Sequence, residues 1–392
     1  MRRLPNGLAG SFGSRQIRLS VAPSLLTTHS AAPTTNIEAK ERAHLAAIGA
    51  LVADASSMPL HWIYDVPKMQ LLLKNGNLSS PFFPELSCPY YKAKAVGDQS
   101  PYGYELFPLA SALAQCKESS QNFDPEVAVQ HLVTFFTSDE RKESVYRNQS
   151  VRMTLENYEK GKRGIECGHD KDHQANCFAK ASILVAKYGS ESPEQLAAVA
   201  EKVIRCQQNN DDAVKYGVAG ALILQRVCHG SSIVEALKWG SSKAQGLIKD
   251  EIKTLIAQAL FYSASPPTEI VFDPIPAYMT AMYQIHIDAK DSLEGFQWPV
   301  WCIGPACGNP AALTNVLMIA AAYSKEGSIG KVLSDGGERY KQGVISNLMA
   351  GGDNCSRSLL LGALLAAEGG SVPADWIKKT NEIDKVRALI KS

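Results

Sequence analysis

Apolar residues recur at helical spacing over most of this chain. From Glu105 onward, apolar positions fall at i, i+3, i+4 and i+7, a pattern typical of amphipathic helices. The best strand signal, at Ile270–Phe272, is weak. The pattern predicts helices over 40–54, 105–117, 124–137, 141–159, 173–187, 192–207, 211–229, 232–246, 248–263, 273–286, 309–323, 329–349, 354–367 and 374–390. Since no Pro/Gly linker separates two halves, we predict one large all-α domain over 37–392.

Two segments near the start of this domain break the helical pattern. The first helix should end near Asp54, because Pro59 disfavours helix at the residue before it. The following segment, 58–65, mixes aromatic and polar residues and is predicted to be a loop. Residues 75–104 are rich in Pro, Gly, Asn, Ser and Tyr and are predicted to be irregular. Loops of this length in compact domains are usually functional.

Composition excludes several classes of protein. Of 392 residues, 45% are hydrophobic and 20% charged, which is ordinary for a globular protein. The net charge of +1 gives no reason to expect a nucleic-acid or membrane partner. No uninterrupted apolar run reaches the length of a transmembrane helix. The nine scattered Cys argue against a disulfide framework and for a reducing compartment.

Residues 1–36 differ from the rest of the chain. They contain Arg2, Arg3, Arg15 and Arg18, many Ser and Thr, and no acidic residue before Glu38. This composition is typical of an organelle transit peptide, and a secretory signal fits less well because no compact apolar region is present. We predict a disordered segment that directs import into the mitochondrion, or else the plastid. The alternative is a disordered tail without targeting function on a cytoplasmic protein.

The segment 349–366 holds the strongest site signal. Gly351 and Gly352 are followed by Asp353 and then by an uninterrupted apolar helix. Asp353 is expected to cap this helix through its carboxylate. The first helical turn, 354–357, would offer N–H groups to an anion or an oxygen-rich ligand. Two interpretations stay open on local grounds, a capped core helix and a site at the helix N-terminus.

Other clusters are weaker. Cys167, His169, His173 and Cys177 are soft metal ligands, but their spacing matches no usual zinc pattern, and a polar loop that brings Asp172 or His173 near a pocket is favoured. The polar run 209–212 is expected to place Asp211 as a helix N-cap, or else to face the same cavity as 351–357. Cys307 is an alternative reactive thiol. The sequence has no phosphate-binding lysine loop, dinucleotide glycine motif or nucleophile elbow.

Three segments, in this order, resemble the ADP-ribosylglycohydrolase superfamily. Residues 49–61 are similar to its opening Gly-x-x-x-Gly-Asp-Ala-x-Gly-x-Pro-x-Glu motif, and 209–214 to its middle element. Residues 347–357 with Val-Pro-Ala-Asp-Trp at 372–376 resemble its closing segment. The resemblance covers about 40–385 and is strongest to the branch with jellyfish J-type crystallins and selenoprotein J. It implies an orthogonal all-α bundle that hydrolyses a glycosidic bond to ADP-ribose with two Mg²⁺ ions.

The sequence departs from the family at the metal ligands. The family's Thr-Asp-Asp-Thr falls on 100–103, Ser-Pro-Tyr-Gly, and its opening Glu falls on His61. The second Asp of the closing motif is Cys355, a ligand unsuited to Mg²⁺. The Thr-His before the middle cluster is Gln207–Gln208. The remaining candidate metal ligands are Asp353, Ser356 and Ser100, an incomplete set, which Asp98 and Glu105 would extend only if the alignment were shifted.

The resemblance therefore implies a hydrolase with a degenerate di-magnesium site, so that Mg²⁺ is a doubtful cofactor. His61 and Asp353 are the candidate catalytic residues. The candidate ligand-binding residues are Trp62, Tyr64, Tyr102, Asn210, Cys355 and Arg357. The Trp and Tyr rings would stack on adenine, and Arg357 or the helix N-terminus would bind phosphate. The expected partner is an ADP-ribose-like small molecule or an ADP-ribosylated substrate. The alternatives are an inactive ADP-ribose- or nucleotide-binding protein and a crystallin-like structural protein.

Overall fold

Helices form nearly all regular structure in the part of the chain that is described. The computed structural model describes residues 36–75, 81–84, 95–118, 123–244, 246–271 and 277–391, and no β-strand occurs among them. The helices are α1 Asn36–Ser57, α2 Val66–Asn75, α3 Pro101–Tyr104, α4 Leu106–Glu118, α5 Pro125–Thr137, α6 Gln149–Glu159, α7 Asn176–Ala179, α8 Ala181–Tyr188, α9 Pro193–Arg205, α10 Asp211–Cys228, α11 Ile233–Ser242, α12 Asp250–Ala264, α13 Thr280–Ala289, α14 Gln297–Ile303, α15 Ala311–Tyr323, α16 Gly336–Met349, α17 Asn354–Gly369, α18 Ala374–Lys379 and α19 Ile383–Lys391. The predicted all-α class is confirmed.

The centre of the fold is an antiparallel pair formed by α1 and α17. Gly49 lies so close to α17 that an added Cβ would come within 2.4 Å of the Cβ of Ala366. At the other end of the pair, the hydroxyls of Ser57 and Ser358 are 2.9 Å apart. Small residues allow this approach, as the composition of the first helix indicated. The pairing brings the end of α1 beside the start of α17, although the two segments are distant in sequence.

The remaining helices enclose this pair. α17 also packs against α10, α15 and α16, and its residues Asn354–Ala367 are all buried. Tyr340 on α16 donates a hydrogen bond to the carbonyl of Gly49, at 2.7 Å. One helical stretch, Glu38–Leu60, is long and apolar enough to cross a membrane, but 89% of its most apolar window is buried inside the fold. Burial of this kind is what a core helix shows.

Several predicted helix boundaries are wrong, and local capping explains most of them. The predicted helix 141–159 begins only at Gln149, because the Asn148 side chain accepts from Val151 N and caps it. The predicted helix 329–349 begins at Gly336, because Asp335 caps it through Glu338 N. The first helix runs beyond Asp54 to Ser57, and a 3-10 turn that accommodates Pro59 at its start follows within the predicted loop.

Tertiary packing divides or adds other helices. The predicted helix 173–187 is two short helices, α7 and α8, and 374–390 is divided between α18 and α19 at Glu382, which has a φ of +58°. Three helices were not predicted: α2, α14, and α3 within the segment 75–104. Ile270 and Val271 form no strand. Of the predicted segments, 1–35, 76–80, 85–94, 245 and 272–276 lie outside the described residues.

Candidate functional site

A cavity of about 490 Å³ opens at the N-terminus of α17. Its lining is aromatic and polar and comprises Trp62, Tyr64, Tyr102, Tyr146, Asn148, Gln149, Arg152, Gln174, Cys307 and Asp353. Four of the predicted site residues are therefore brought together here: Trp62, Tyr64, Tyr102 and Asp353. A second cavity, of about 550 Å³ and mostly apolar, is partly walled by residues 303–311 and includes no predicted site residue.

Asp353 occupies the N-cap position of α17, but its carboxylate does not cap the helix. Instead, Oδ2 accepts from Trp62 Nε1 at 3.1 Å and from the Tyr102 hydroxyl at 3.3 Å. His61 Nδ1 lies 3.0 Å from Asn354 Oδ1 and 3.3 Å from the backbone N of Cys355, so a side chain from the opening motif contacts the first turn of this helix. The predicted carboxylate cap is wrong. The carboxylate lines the cavity instead, which favours the interpretation of this segment as a site.

The second oxygen of Asp353 has no hydrogen-bond partner among the described residues, and the residue is only 1% exposed. Its nearest ionisable neighbour is His61, whose Nε2 lies 3.6 Å from Oδ1, beyond hydrogen-bond distance. Burial lowers the pKa of His61, although the Asp353 charge opposes this shift. The Asp353 carboxylate thus lines the cavity with the His61 imidazole beside it, and Oδ1 would accept a hydrogen bond from a ligand or water.

Cys307 forms part of the same wall. Burial raises the pKa of its thiol well above the ordinary value, and the Asp353 charge acts in the same direction. The thiol is therefore protonated at neutral pH, and the geometry gives no support to a nucleophilic Cys307.

Arg357 does not reach the cavity. It is fully buried and donates to Asn347 Oδ1, Pro305 O and Gly351 O at 2.8, 2.8 and 2.7 Å. Burial lowers its pKa to about 10. Its predicted role at phosphate is wrong, because the guanidinium is buried outside the cavity lining and is bound to Asn347 Oδ1 and to the carbonyls of Pro305 and Gly351.

Two other predicted lining residues are also absent from the cavity. Cys355 is fully buried, with its thiol 3.7 Å from the carbonyl of Asp54. Asn210 is the N-cap of α10, accepts from Ala213 N at 2.8 Å, and donates to Asp172 O at 2.6 Å. Asn210, not Asp211, caps this helix. Its side chain was expected in the cavity but is bound at the helix N-terminus instead.

The two predicted hydroxyl ligands, Ser356 and Ser100, are bound to other protein groups. Ser356 donates to the carbonyl of Asp353 at 2.9 Å. Ser100 donates to Asp54 Oδ1 at 2.6 Å and caps α3 through its Oγ. Burial raises the pKa of Asp54 to about 7, against the hydrogen bonds from Ser100, which lower it. Neither hydroxyl lines the cavity.

The residues around Asp353 do not fit a pair of Mg²⁺ ions. Within the described part of the chain, no group of three or more His, Cys, Asp or Glu side chains could hold a metal. Glu105 lies apart, bound to Asn148, Asn176 and Lys180, and Asp98 is bound to Asn381. Two Mg²⁺ ions need several carboxylates, and the cavity lining offers one.

Sequence reasoning missed most of the opposite wall. Tyr146, Gln149 and Arg152 surround the start of α6, within what was predicted to be continuous helix. Arg152 is the cation of the cavity lining, and its guanidinium lies 6.0 Å from the Tyr146 ring. Asn148 is the sequence signal that could have located this wall, because Asn is a common N-cap residue. A helix that begins after it has Gln149 and Arg152 in its first turn.

Comparison with known proteins agrees with this architecture. The sequence pattern of the family described as ADP-ribosylglycohydrolase matches residues 35–392. Crystallin J1A of Tripedalia cystophora is 24% identical over 359 residues, which cover 89% of this chain and 95% of the relative. Crystallin J1B of the same organism is 23% identical over 353 residues, which cover 88% of this chain and 93% of the relative. A solved structure, "ADP-ribosylglycohydrolase-related protein complex", superposes with a TM-score of 0.60 at 16% identity, over 90% and 97% of the two chains.

Proposed function

The chain belongs to the ADP-ribosylglycohydrolase family, and on that premise we propose that it binds an ADP-ribose-type ligand in the Asp353 cavity and hydrolyses a glycosidic bond there. The observation that supports this most directly is the Asp353 carboxylate. Trp62 and Tyr102 donate to Oδ2, the Cys307 thiol also interacts with the carboxylate, and Oδ1 has no hydrogen-bond partner among the described residues. A carboxylate fixed in this way is suited to act as a general base.

The residues of the cavity suggest how the ligand would be held. The indole of Trp62 and the rings of Tyr64 and Tyr146 provide aromatic surfaces for a nucleobase. Arg152 provides the positive charge for a diphosphate. A volume of about 490 Å³ lies within the range of small-molecule sites.

In this proposal, Asp353 Oδ1 takes a proton from water as the water oxygen forms a bond to the anomeric carbon. The glycosidic bond breaks with its electron pair on the leaving atom, and a proton from solvent neutralises the leaving group. Trp62 and Tyr102 hold the carboxylate in orientation through Oδ2. His61 stays neutral behind Asp353. No step is assigned to Mg²⁺, because the described residues do not fit two ions.

The decisive experiment measures ADP-ribose binding by calorimetry and turnover of ADP-ribosylated arginine, serine and O-acetyl-ADP-ribose by product analysis. We expect binding and slow turnover in the wild type, and loss of turnover by about 100-fold or more in Asp353→Asn. Asp170→Asn, which changes a carboxylate with a 78% exposed side chain, is the matched control and should behave as wild type. Absence of ADP-ribose binding would contradict the proposal.

Two non-catalytic functions are the alternatives: ligand binding without catalysis, and a structural role. They are favoured by the poor fit to two Mg²⁺ ions and by the two relatives named crystallin. ADP-ribose binding without turnover would favour a binding protein. Neither binding nor turnover, together with high abundance in the tissue of origin, would favour the structural role.

We also propose that residues 1–36 direct import into an organelle. The argument rests on their basic, acid-free composition. A fluorescent tag at the C-terminus of the full chain should colocalise with a mitochondrial or plastid marker, and deletion of residues 2–36 should leave it in the cytoplasm. Cytoplasmic fluorescence from the full chain would contradict import.

A further inference from the structure

A buried cluster of polar side chains lies beside the cavity wall formed by Gln174. It comprises Asp172, Asn176, Gln207 and Gln208, each at most 6% exposed, and we refer to it as the acceptor cluster. It is connected to the wall because Gln208 Nε2 donates to the carbonyl of Gln174 at 3.2 Å. The wall residue Gln174 in turn donates its backbone N–H to Asp172 Oδ1 at 2.9 Å.

Two chain segments hold the acceptor cluster together. The amide of His169 donates to the carbonyl of Gln207 at 2.9 Å, and the amide of Asn209 donates back to His169 at 2.8 Å. One step further, Asn210 Nδ2 donates to the carbonyl of Asp172 at 2.6 Å. Residues 169–176 and 207–210 therefore run side by side.

The orientation of each amide in the acceptor cluster is fixed by its neighbours. Gln208 Nε2 donates to Asp172 Oδ1 at 3.0 Å. Gln207 Nε2 donates to Ser150 Oγ at 3.0 Å, and that hydroxyl gives its own proton to Asn148 Oδ1. Since both amides meet acceptors, their N–H₂ groups are committed and their oxygens point elsewhere.

Asn176 follows the same rule. Its Nδ2 donates to Glu105 Oε1 at 2.7 Å, and the charge of Glu105 is balanced by Lys180, 3.1 Å from Oε2. The four remaining oxygens, Asp172 Oδ2, Asn176 Oδ1, Gln207 Oε1 and Gln208 Oε1, are buried and have no hydrogen-bond partner among the described residues. Buried acceptors in this number require donors or positive charge.

We propose that the acceptor cluster binds a monovalent alkali cation, Na⁺ or K⁺. Carboxylate and amide oxygens are the hard ligands that such ions take. The charge of the cluster favours a monovalent ion, because Asp172 is its one carboxylate and the charge of Glu105 is already balanced by Lys180. A monovalent ion neutralises this charge, whereas a divalent ion would leave one positive charge buried. The site contains none of the predicted Mg²⁺ ligands and does not depend on the proposed hydrolysis.

The test compares the melting temperature of the full chain in NaCl, in KCl and in N-methyl-D-glucamine chloride at one ionic strength. We expect Na⁺ or K⁺ to raise the melting temperature in a saturable manner, by roughly 2 °C at ten times the dissociation constant. Equal melting temperatures in the three salts would overturn the proposal and leave the cluster bound to water. A rise with Ca²⁺ and with neither alkali ion would also overturn it.

Two variants and a crystal localise the effect. Asp172→Asn should abolish the alkali-dependent rise, and Asp170→Asn, in the same loop but exposed, should retain it. Gln208→Met, which removes one ligand oxygen at similar size, should raise the midpoint concentration of the ion several-fold and serves if Asp172→Asn does not fold. A crystal soaked in Tl⁺ should show anomalous density beside Asp172 and Gln208. Density only elsewhere, or an undiminished rise in both variants, would overturn the assignment.

Discussion

Trp62 Nε1 lies 3.1 Å from Asp353 Oδ2, although 291 residues separate the two in sequence. The backbone supports this contact, because Trp62 N donates to Gly352 O at 2.9 Å and Gly352 N donates to Ile63 O at 2.8 Å. Trp62 has a φ of +62°, a conformation that costs a bulky residue about 1–2 kcal/mol. The reciprocal hydrogen bonds offset that strain and bind the opening segment to the closing segment.

This relationship predicts the effect of Trp62→Phe. The variant keeps an aromatic ring but removes one of the two donors that hold the Asp353 carboxylate. Because hydrogen bonds to charged groups contribute about 1.5–3 kcal/mol, we expect a roughly tenfold to 100-fold fall in kcat/KM for the ADP-ribosyl substrate. Trp298→Phe removes an indole donor to Thr268 O outside the cavity lining and is the control. Equal kinetics in both variants would contradict the role of Trp62.

Arg357 and Arg152 should separate stability from binding. Arg357→Met removes a donor from three buried acceptors, of which Pro305 O still accepts from Asp353 N, so we expect a loss of about 3 kcal/mol in the free energy of unfolding, measured by urea denaturation. Arg152→Met should change stability by less than about 0.5 kcal/mol and weaken ADP-ribose binding by tenfold or more. Loss of ADP-ribose binding with unchanged stability in Arg357→Met would show instead that Arg357 contacts the ligand.

Millimolar Mg²⁺ should leave the melting temperature unchanged. A true two-metal site would give a rise of several degrees through linkage, but Asp353 is the one carboxylate in the cavity lining. The comparison uses N-methyl-D-glucamine chloride at matched ionic strength. A Mg²⁺-specific rise that Asp353→Asn abolishes would show that the metal site is intact.

Asp54 should make stability depend on pH. Burial raises its pKa from 3.8 to about 7, so the folded chain binds the proton more tightly than the unfolded chain does. The contribution of Asp54 is then fully present below about pH 4 and is lost as pH rises to about 7, on the order of 4 kcal/mol in total. His61, whose pKa is lowered, changes stability in the opposite direction.

Comparison with Asp54→Asn isolates this effect, because both proteins retain His61. Urea denaturation at pH 5 and pH 8 should show that wild type loses more stability than the variant as pH rises. A parallel change in the two proteins would mean that Asp54 is ionised throughout this range.

Helix starts show how far local sequence reaches. Ser192 and Pro193 mark the start of α9 in sequence, and the structure has a capping box there. The predicted helix 141–159 starts too early because its apolar spacing continues through residues that turn instead, whereas the Asn148 cap sets the start of the helix at Gln149. Apolar spacing reports which residues can share a face, whereas a cap determines where the helix begins.

The sequence by itself determined the helical class and the family, and it predicted a site at Asp353, because apolar spacing and short motifs are local properties. Only the tertiary structure decided which side chains share the cavity. Arg357 and Asp353 are four residues apart, yet one points into the core and the other toward Trp62. The cavity cation is Arg152, from a helix that no motif indicated. The direction of a side chain depends on the packing of α1 against α17, and that packing joins residues about 300 positions apart.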